Sequence, residues 1–457
     1  MNSLSQYLDL YEAHRELLCS AAAPVTNGPR EWAAERLREV GLPTTRTERY
    51  KYTDAAAAFA PDFGLNLRRI GPEHDPYERF KCQVPNLSTS LFFVMNDMPC
   101  VPTDAARRLL PEGVVVESFA RAEGRIQEVV AAHYNRAADH DRDFRQGHDG
   151  VTLLNTLLAQ DGLLIYLPKD TQLKAPIQVV NVSTARHDLL SLRRVLIVAE
   201  EGAHGAILFC DHAEGDTAYL TSEVVEVVTA KDAAIDLYTI EETNARNRRF
   251  HTVYTRQDER SHVACHDITL TCGLTRNRLD ARLQGSGAHC RAFGAVIADA
   301  AQSVDHNILI EHMAPRCEST MLHKYVLGGE SRGAFAGKVY VAPGAQQTLS
   351  QQTNANLCTT PAARAFSQPM LEIYADDVKC NHGSTTGKMD DAALFYMRQR
   401  GIAEDEARLL LQHAFINEVL REVTIPHLYD RLAYLAEQRF RGNLNHCKGC
   451  RHQCGTH

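Results

Sequence analysis

At 457 residues with 44% hydrophobic content, the chain can bury a large core, which excludes wholesale disorder. Forty-nine Lys and Arg against 57 Asp and Glu leave a net charge of −8, so no global basic field draws nucleic acid or anionic lipid. Apolar runs such as residues 91–95 and 163–167 fall far short of the roughly 20 residues that span a bilayer, so a soluble protein without a membrane partner is expected.

In chain order, the first residues carry charges from Asp9 onward where a secretory leader would be uninterruptedly apolar, and they read as a helix that stays. Leu4, Tyr7, Leu8, Tyr11, His14 and Leu18 follow the three-and-four spacing of an amphipathic helix. Residues 29–40 give a second helix, stopped by Gly41-Leu42-Pro43. Helical pieces at 105–110, 121–136 and 151–158 complete a mainly helical N-terminal region, residues 1–160.

From about Gly162 the texture turns to short β-rich runs, at 177–182, 194–198, 206–210, 222–228, 234–238 and 251–254, with no helical pattern between them. A doubly wound α/β fold is thereby disfavoured, leaving a sandwich, a propeller or a solenoid. Glycines in 202–206, 287–294 and 328–334 place small residues at recurrent corners, which favours a parallel β-helix over residues 161–387. Helices return after Gly387. Residues 390–400 and 404–423 form two, and Pro426 opens a third, giving a C-terminal helical domain at 388–440.

Ten of the thirteen cysteines lie singly between Cys19 and Cys380, in a chain too long to need stapling, and read as reduced thiols of a cytoplasmic protein. The densest chemistry is Ala375-Asp-Asp-Val-Lys-Cys-Asn-His-Gly-Ser-Thr-Thr-Gly387. If this stretch is extended, Cys380 and His382 project from the same face, roughly 7 Å apart. A soft thiolate beside an imidazole suits an iron-sulfur species or a thiophilic metal, yet two donors are half of a four-ligand set. The alternative is an inward-packed Cys380 with His382 hydrogen-bonded at a turn.

Asp376-Asp-Val-Lys-Cys-Asn-His-Gly383, followed by Leu394-Phe-Tyr-Met-Arg-Gln-Arg-Gly401, closely resembles the C-terminal signature of the SufD family, core subunits of the SUF iron-sulfur cluster assembly complex. Gly41-Leu-Pro-Thr-Thr-Arg46 and Glu48-Arg-Tyr-Lys-Tyr-Thr53 resemble its N-terminal pattern, with Tyr50 where that family commonly has Trp. Gln352-Thr-Asn-Ala-Asn-Leu357 is similar too. The resemblance spans about residues 30–440. It implies a right-handed parallel β-helix between helical ends, pairing with a SufB-like paralogue through the β-helices, and docking of a SufC-like ABC ATPase on the C-terminal helices. Leu409, Phe415 and Val419 are the partner-binding candidates there, with packing onto the chain's own cap as the alternative for each. Where the paralogue is absent, a homodimer is the other arrangement.

The same resemblance implies a non-enzymatic subunit. His382 would contribute to a nascent, transient iron-sulfur cluster shared with the paralogue, and Cys380 would be a motif member beside it. ATP-driven closure of the ATPase pair would reach the site through the C-terminal helices. The SufB-like paralogue itself is disfavoured, because 351–356 lacks the expected cysteine and His382 is followed by Gly-Ser rather than Glu-Ala; Cys358 is the nearest thiol.

The tail, residues 441–457, lies outside the resemblance. Cys447, Cys450 and Cys454 with His452, flanked by His446 and His457, offer donors for Zn or Fe, or form a flexible thiol-rich end. Cys265, His266, Cys272, His289, Cys290, His306 and His312 read as ordinary strand residues. No G-x4-G-K-[ST] loop is present, so ATP hydrolysis is expected on another chain. A rival reading, a carbohydrate-active β-helix using acids such as Asp299 and Asp305, lacks aromatic support, since the single Trp, Trp32, lies far from the strands.

Overall fold

The structure is a computed structural model that describes residues 4–71, 75–79, 87–138 and 148–443. Its centre is a parallel β-solenoid of about 8 turns. Successive strands alternate between two sheets, so each turn adds one strand to a first, 10-stranded sheet and one to a second, 9-stranded sheet. The first sheet runs from Ser90–Met95 and Ile177–Ser183 through His262–Thr271 to Thr348–Cys358 and finally Val378–Gly387. The second runs from Leu163–Leu167 and Leu189–Ala199 through Leu274–Leu283 to Arg332–Val341 and Arg364–Ile373.

Alternation explains the layers. Inward side chains such as Ile207, Phe209, Val225, Val227, Leu279 and Ile310 stack into one continuous apolar core between the sheets. Each such side chain contributes about 1.5–3 kcal/mol when fully buried, which no single turn could collect alone. The outward faces are apolar as well, and helices cover them. Helices Ser5–Ser20, Arg30–Val40 and Gly150–Leu158 pack on Leu190, Leu192, Leu220 and Phe250 of the second sheet. Helices Glu404–Leu420 and Pro426–Phe440 pack on Leu208, Tyr238, Ile268 and Phe293 of the first. Strands sheathed on both faces lose their polar alternation, which is why Leu189–Ala199 is buried throughout and extends beyond the β run at 194–198 expected from sequence.

The two ends of the solenoid differ. At the N-terminal end, the short strands Met98–Pro99 and Val115–Ser118 pair antiparallel with Ser90–Met95 and Leu163–Leu167 and end the parallel run of each sheet. At the other end, among the described residues, Arg364–Ile373 and Val378–Gly387 are each strand-paired along one edge only. Among the described residues no helix is long and apolar enough to cross a membrane.

Candidate functional site at the open end of the solenoid

Register fixes what the last strand presents. Leu237, Cys265, Ala292, Met321, Gln352 and His382 occupy one inward row on successive turns of the first sheet. Ile235, Val263, Cys290, Ser319, Ser350 and Cys380 occupy the row beside it. Cys380 and His382 therefore both face the solenoid lumen, as the two-residue spacing predicts for one face. They lie at its mouth, where among the described residues no further turn follows: Cys380 is half-buried against the core and His382 is exposed. Partial burial pushes the Cys380 thiol above its ordinary value.

The mouth has an apolar and a polar side. Val378 and Leu371 extend the core beside Cys380. Beyond His382, Ser384 donates to Ser367 of the second sheet (2.7 Å), and Gln352 one turn below donates to the Met370 carbonyl (3.1 Å). The polar side continues down the lumen. His306 bonds the Tyr325 hydroxyl (2.7 Å) and Asn277 (3.1 Å), His251 bonds Glu223 (2.8 Å), and Arg193 pairs with Asp211 (2.6 Å). Buried charges of this kind persist only when paired. The His251 and arginine partners hold the Glu223 carboxyl down at about 2 against the opposing pull of burial.

Among the described residues no group of three or more His, Cys, Asp or Glu side chains is arranged to hold a metal ion. Among the described residues, Cys380 and His382 are thus a set of two donors. Cys358 does not complete it, because it stands six residues along the strand from Gln352, the register partner of His382, about 20 Å away. Its inward side chain packs against the core. The nine described cysteines are all free thiols. Cys447, Cys450, Cys454 and His452 lie outside the described residues.

Leu409 and Val419 are buried, Val419 against the first sheet, while Phe415 packs in the same cluster as Val419 under the ammonium of Lys324, 4.5 Å from its ring centroid. The large apolar side chains that this domain does expose are Phe395, Tyr396, Leu410 and Tyr434. Residues 48–53 dock on the outer face of the second sheet. Arg49 bonds Asp280 (3.0 Å) and Asn307 (2.9 Å), Thr53 bonds Asp305 (2.7 Å), and Tyr50 lies under the guanidinium of Arg276 at 3.9 Å while donating to Asp149 (2.7 Å). That segment is a structural clasp, and Tyr52 carries it to the last turn by stacking on Phe366 at 5.1 Å. Asp305 is consumed by this clasp and by Arg276, and Asp299 caps a turn through Ala300, so neither belongs to an open carboxylate cluster.

Sequence spacing singles out Cys380 and His382 but misses a third group in the same lumen. His312, Ser319 and Ser350 form a hydrogen-bonded chain, 2.9 and 2.8 Å per link, that ends one rung below Cys380. The signal was the recurrence of one inward row about every 30 residues, which separates Cys290, Ser319, Ser350 and Cys380.

Comparison with known proteins agrees with this architecture. Residues 181–415 match the family model described as "SUF system FeS cluster assembly, SufBD core domain", and residues 1–179 match "SufBD protein N-terminal region". An iron-sulfur cluster assembly SufBD family protein of Synechocystis is 27% identical over 419 residues, 88% of each chain. The iron-sulfur cluster assembly protein SufD of Escherichia coli is 25% identical over 435 residues, covering 92% of this chain and 93% of that one. The SufD of Bacillus subtilis is 22% identical over 355 residues, 76% and 78% of the two chains.

Proposed function

Because the chain belongs to the SufBD family of iron-sulfur cluster assembly proteins and is of the SufD type, we propose that its open solenoid end pairs with a SufB-like paralogue to build a cluster between them. The observation that carries this reading is the incomplete donor set at an uncapped edge. Two strands with unpaired edges frame a lumen mouth where one imidazole and one thiol point inward. An unpaired edge is a template for another strand. A partner that continued the turns would bury His382 and Cys380 in a joint and bring further ligands to them.

The cluster is the product handed on, so both donors hold it only transiently. The chain acts as an assembly subunit, and ATP hydrolysis belongs to an ABC-type ATPase docked on the C-terminal helices. Val419, buried on the first sheet with Phe415 in the same cluster, would hold helix Glu404–Leu420 in place, Leu409 is buried as well, and the exposed Phe395, Tyr396, Leu410 and Tyr434 would supply the docking face. Movement of that helix would pass to the turns beneath it through Lys324–Glu418 and the Thr424–Tyr238 hydrogen bond (2.9 Å). Free thiols throughout the described chain agree with a cytoplasmic setting.

The test is His382→Ala in the complex co-purified with its paralogue and ATPase. The expected result is an unchanged complex whose cluster absorbance after assembly falls to a small fraction of wild type. Unchanged cluster yield removes His382 from the site.

A further inference from the structure

Strand Val378–Gly387 carries His382, yet little apolar burial holds it in place. Val378 and Cys380 pack against the core, and the other eight of its ten residues are exposed. Its backbone ladder runs to strand Thr348–Cys358. A solvent-exposed strand at the end of a stack opens readily when backbone bonds alone retain it.

Side chains of the turn beneath supplement that ladder. Gln352, Asn354 and Asn356 face inward in register with His382, Ser384 and Thr386, and all three are buried. A backbone carbonyl can only accept, so the Asn354 NH2 faces the His323 carbonyl one turn further down (3.3 Å). The Asn354 Oδ1 thereby turns toward Asn356, whose Nδ2 donates to it at 2.8 Å. The same Nδ2 reaches the Thr385 carbonyl and the Thr386 hydroxyl of the last strand, each at 3.2 Å. Two amides thus lash three consecutive turns of the first sheet together. Across the mouth, Ser384 donates to Ser367 (2.7 Å) and Gln352 donates to the Met370 carbonyl (3.1 Å), so the last two strands of this sheet are each tied to the facing strand Arg364–Ile373. A polar cap serving solubility would turn such groups toward water, whereas Asn354 and Asn356 are 1% and 3% exposed. Buried amides are costly when unsatisfied and fix a single arrangement when bonded.

We propose that Asn354, Asn356 and Ser384 are positioning residues for the shared site: they lock the last strand to the turns beneath and to the facing sheet, so that His382 is held at the lumen mouth before a partner arrives. A donor already fixed in place loses little further conformational freedom when a cluster forms on it. The stretch Gln352-Thr-Asn-Ala-Asn-Leu357, which stands out in the sequence, supplies this lock. The role rests on the shared-site reading above and deepens it.

The experiment compares Asn356→Ala, Ser384→Ala and Ser384→Thr in the full-length chain, alone and in the complex with its paralogue and ATPase. In the free chain, amide exchange on 378–387 is expected to rise about fivefold in Asn356→Ala and about twofold in Ser384→Ala, with strand His289–Ala298, three turns below, unchanged. At saturating partners both complexes form as for wild type while initial cluster formation slows severalfold, and Ser384→Thr, which keeps the hydroxyl, restores the wild-type rate. Unchanged exchange on 378–387 in both alanine variants overturns the lock, as does an equal rise at His289–Ala298, which would signal general loosening. Faster exchange with an unchanged cluster rate reduces these residues to structure and overturns the positioning role. Ser384 is exposed, so its variants carry the test if Asn356→Ala does not fold. The exchange measurement needs neither partner nor cluster, so its failure is distinguished from failure of the shared-site reading, which the His382→Ala complex reports.

Discussion

At the residue scale, the chain trades buried polarity for position. His312, His323 and His306 sit in a lumen that strands alone would fill with aliphatics, and burial holds all three below the ordinary imidazole value, as it does His266 at about 3 beneath the C-terminal helices. The unfolded chain binds protons to these rings below about pH 6.5 while the folded chain does not, so stability falls as pH drops from there toward 4. Thermal melts across that window should show a declining midpoint, and His312→Gln should decline less steeply; an identical slope would contradict a neutral, buried His312. Cys380 and His382 were legible because two-residue spacing maps directly onto one face of a strand. His312, Ser319 and Ser350 were not, because they come from three strands and meet only once the turns stack. The Cys380–His382 pair reads as chemistry in sequence; the polar residues stacked below it in the lumen read as ordinary strand residues.

At the element scale, short β runs, missing helices and recurrent glycines were enough to choose a parallel solenoid, while strand lengths were underestimated. Runs such as 206–210 became His204–Ala213, since the polar Asp211 and His212 that follow the apolar run stay in the strand as buried residues, Asp211 paired with Arg193. Ser90–Met95 was hidden within a region that reads as helical, because its pairing with Ile177–Ser183 joins segments separated by helices. The corners are set by close backbone approach. Gly287 and Gly329 turn with positive φ, but equivalent corners use Asp232, Arg260 and Gln347 in the same conformation, so φ alone does not demand glycine. Gly285 is different: a Cβ there would stand 1.9 Å from the backbone nitrogen of Glu259 in the turn below. Gly285→Ala should therefore cost about 2 kcal/mol or more in urea unfolding, as turns are forced apart. A loss below about 0.5 kcal/mol would mean that the turns are not in contact at that corner.

At the scale of the whole molecule, the functional argument is one of asymmetry. Short antiparallel strands end the parallel run at one end of the solenoid, and a helical layer packs on each outer face. Among the described residues, the long parallel edge strands are Arg364–Ile373 and Val378–Gly387, beside the inward Cys380 and His382; the opposite ends of the sheets carry only the short antiparallel strands Met98–Pro99 and Val115–Ser118. The clasp at 48–53 ties the N-terminal region to the last turns, so the open end is braced from outside while its edge stays unpaired. Hydrogen exchange read by mass spectrometry on peptides covering 364–387, for the chain alone and in complex with its SufB-like paralogue, tests this most directly. Amides of Val378–Gly387 should exchange at least about tenfold more slowly in the complex. A complex that forms while exchange along that strand stays as fast as in the free chain would contradict pairing at the open end.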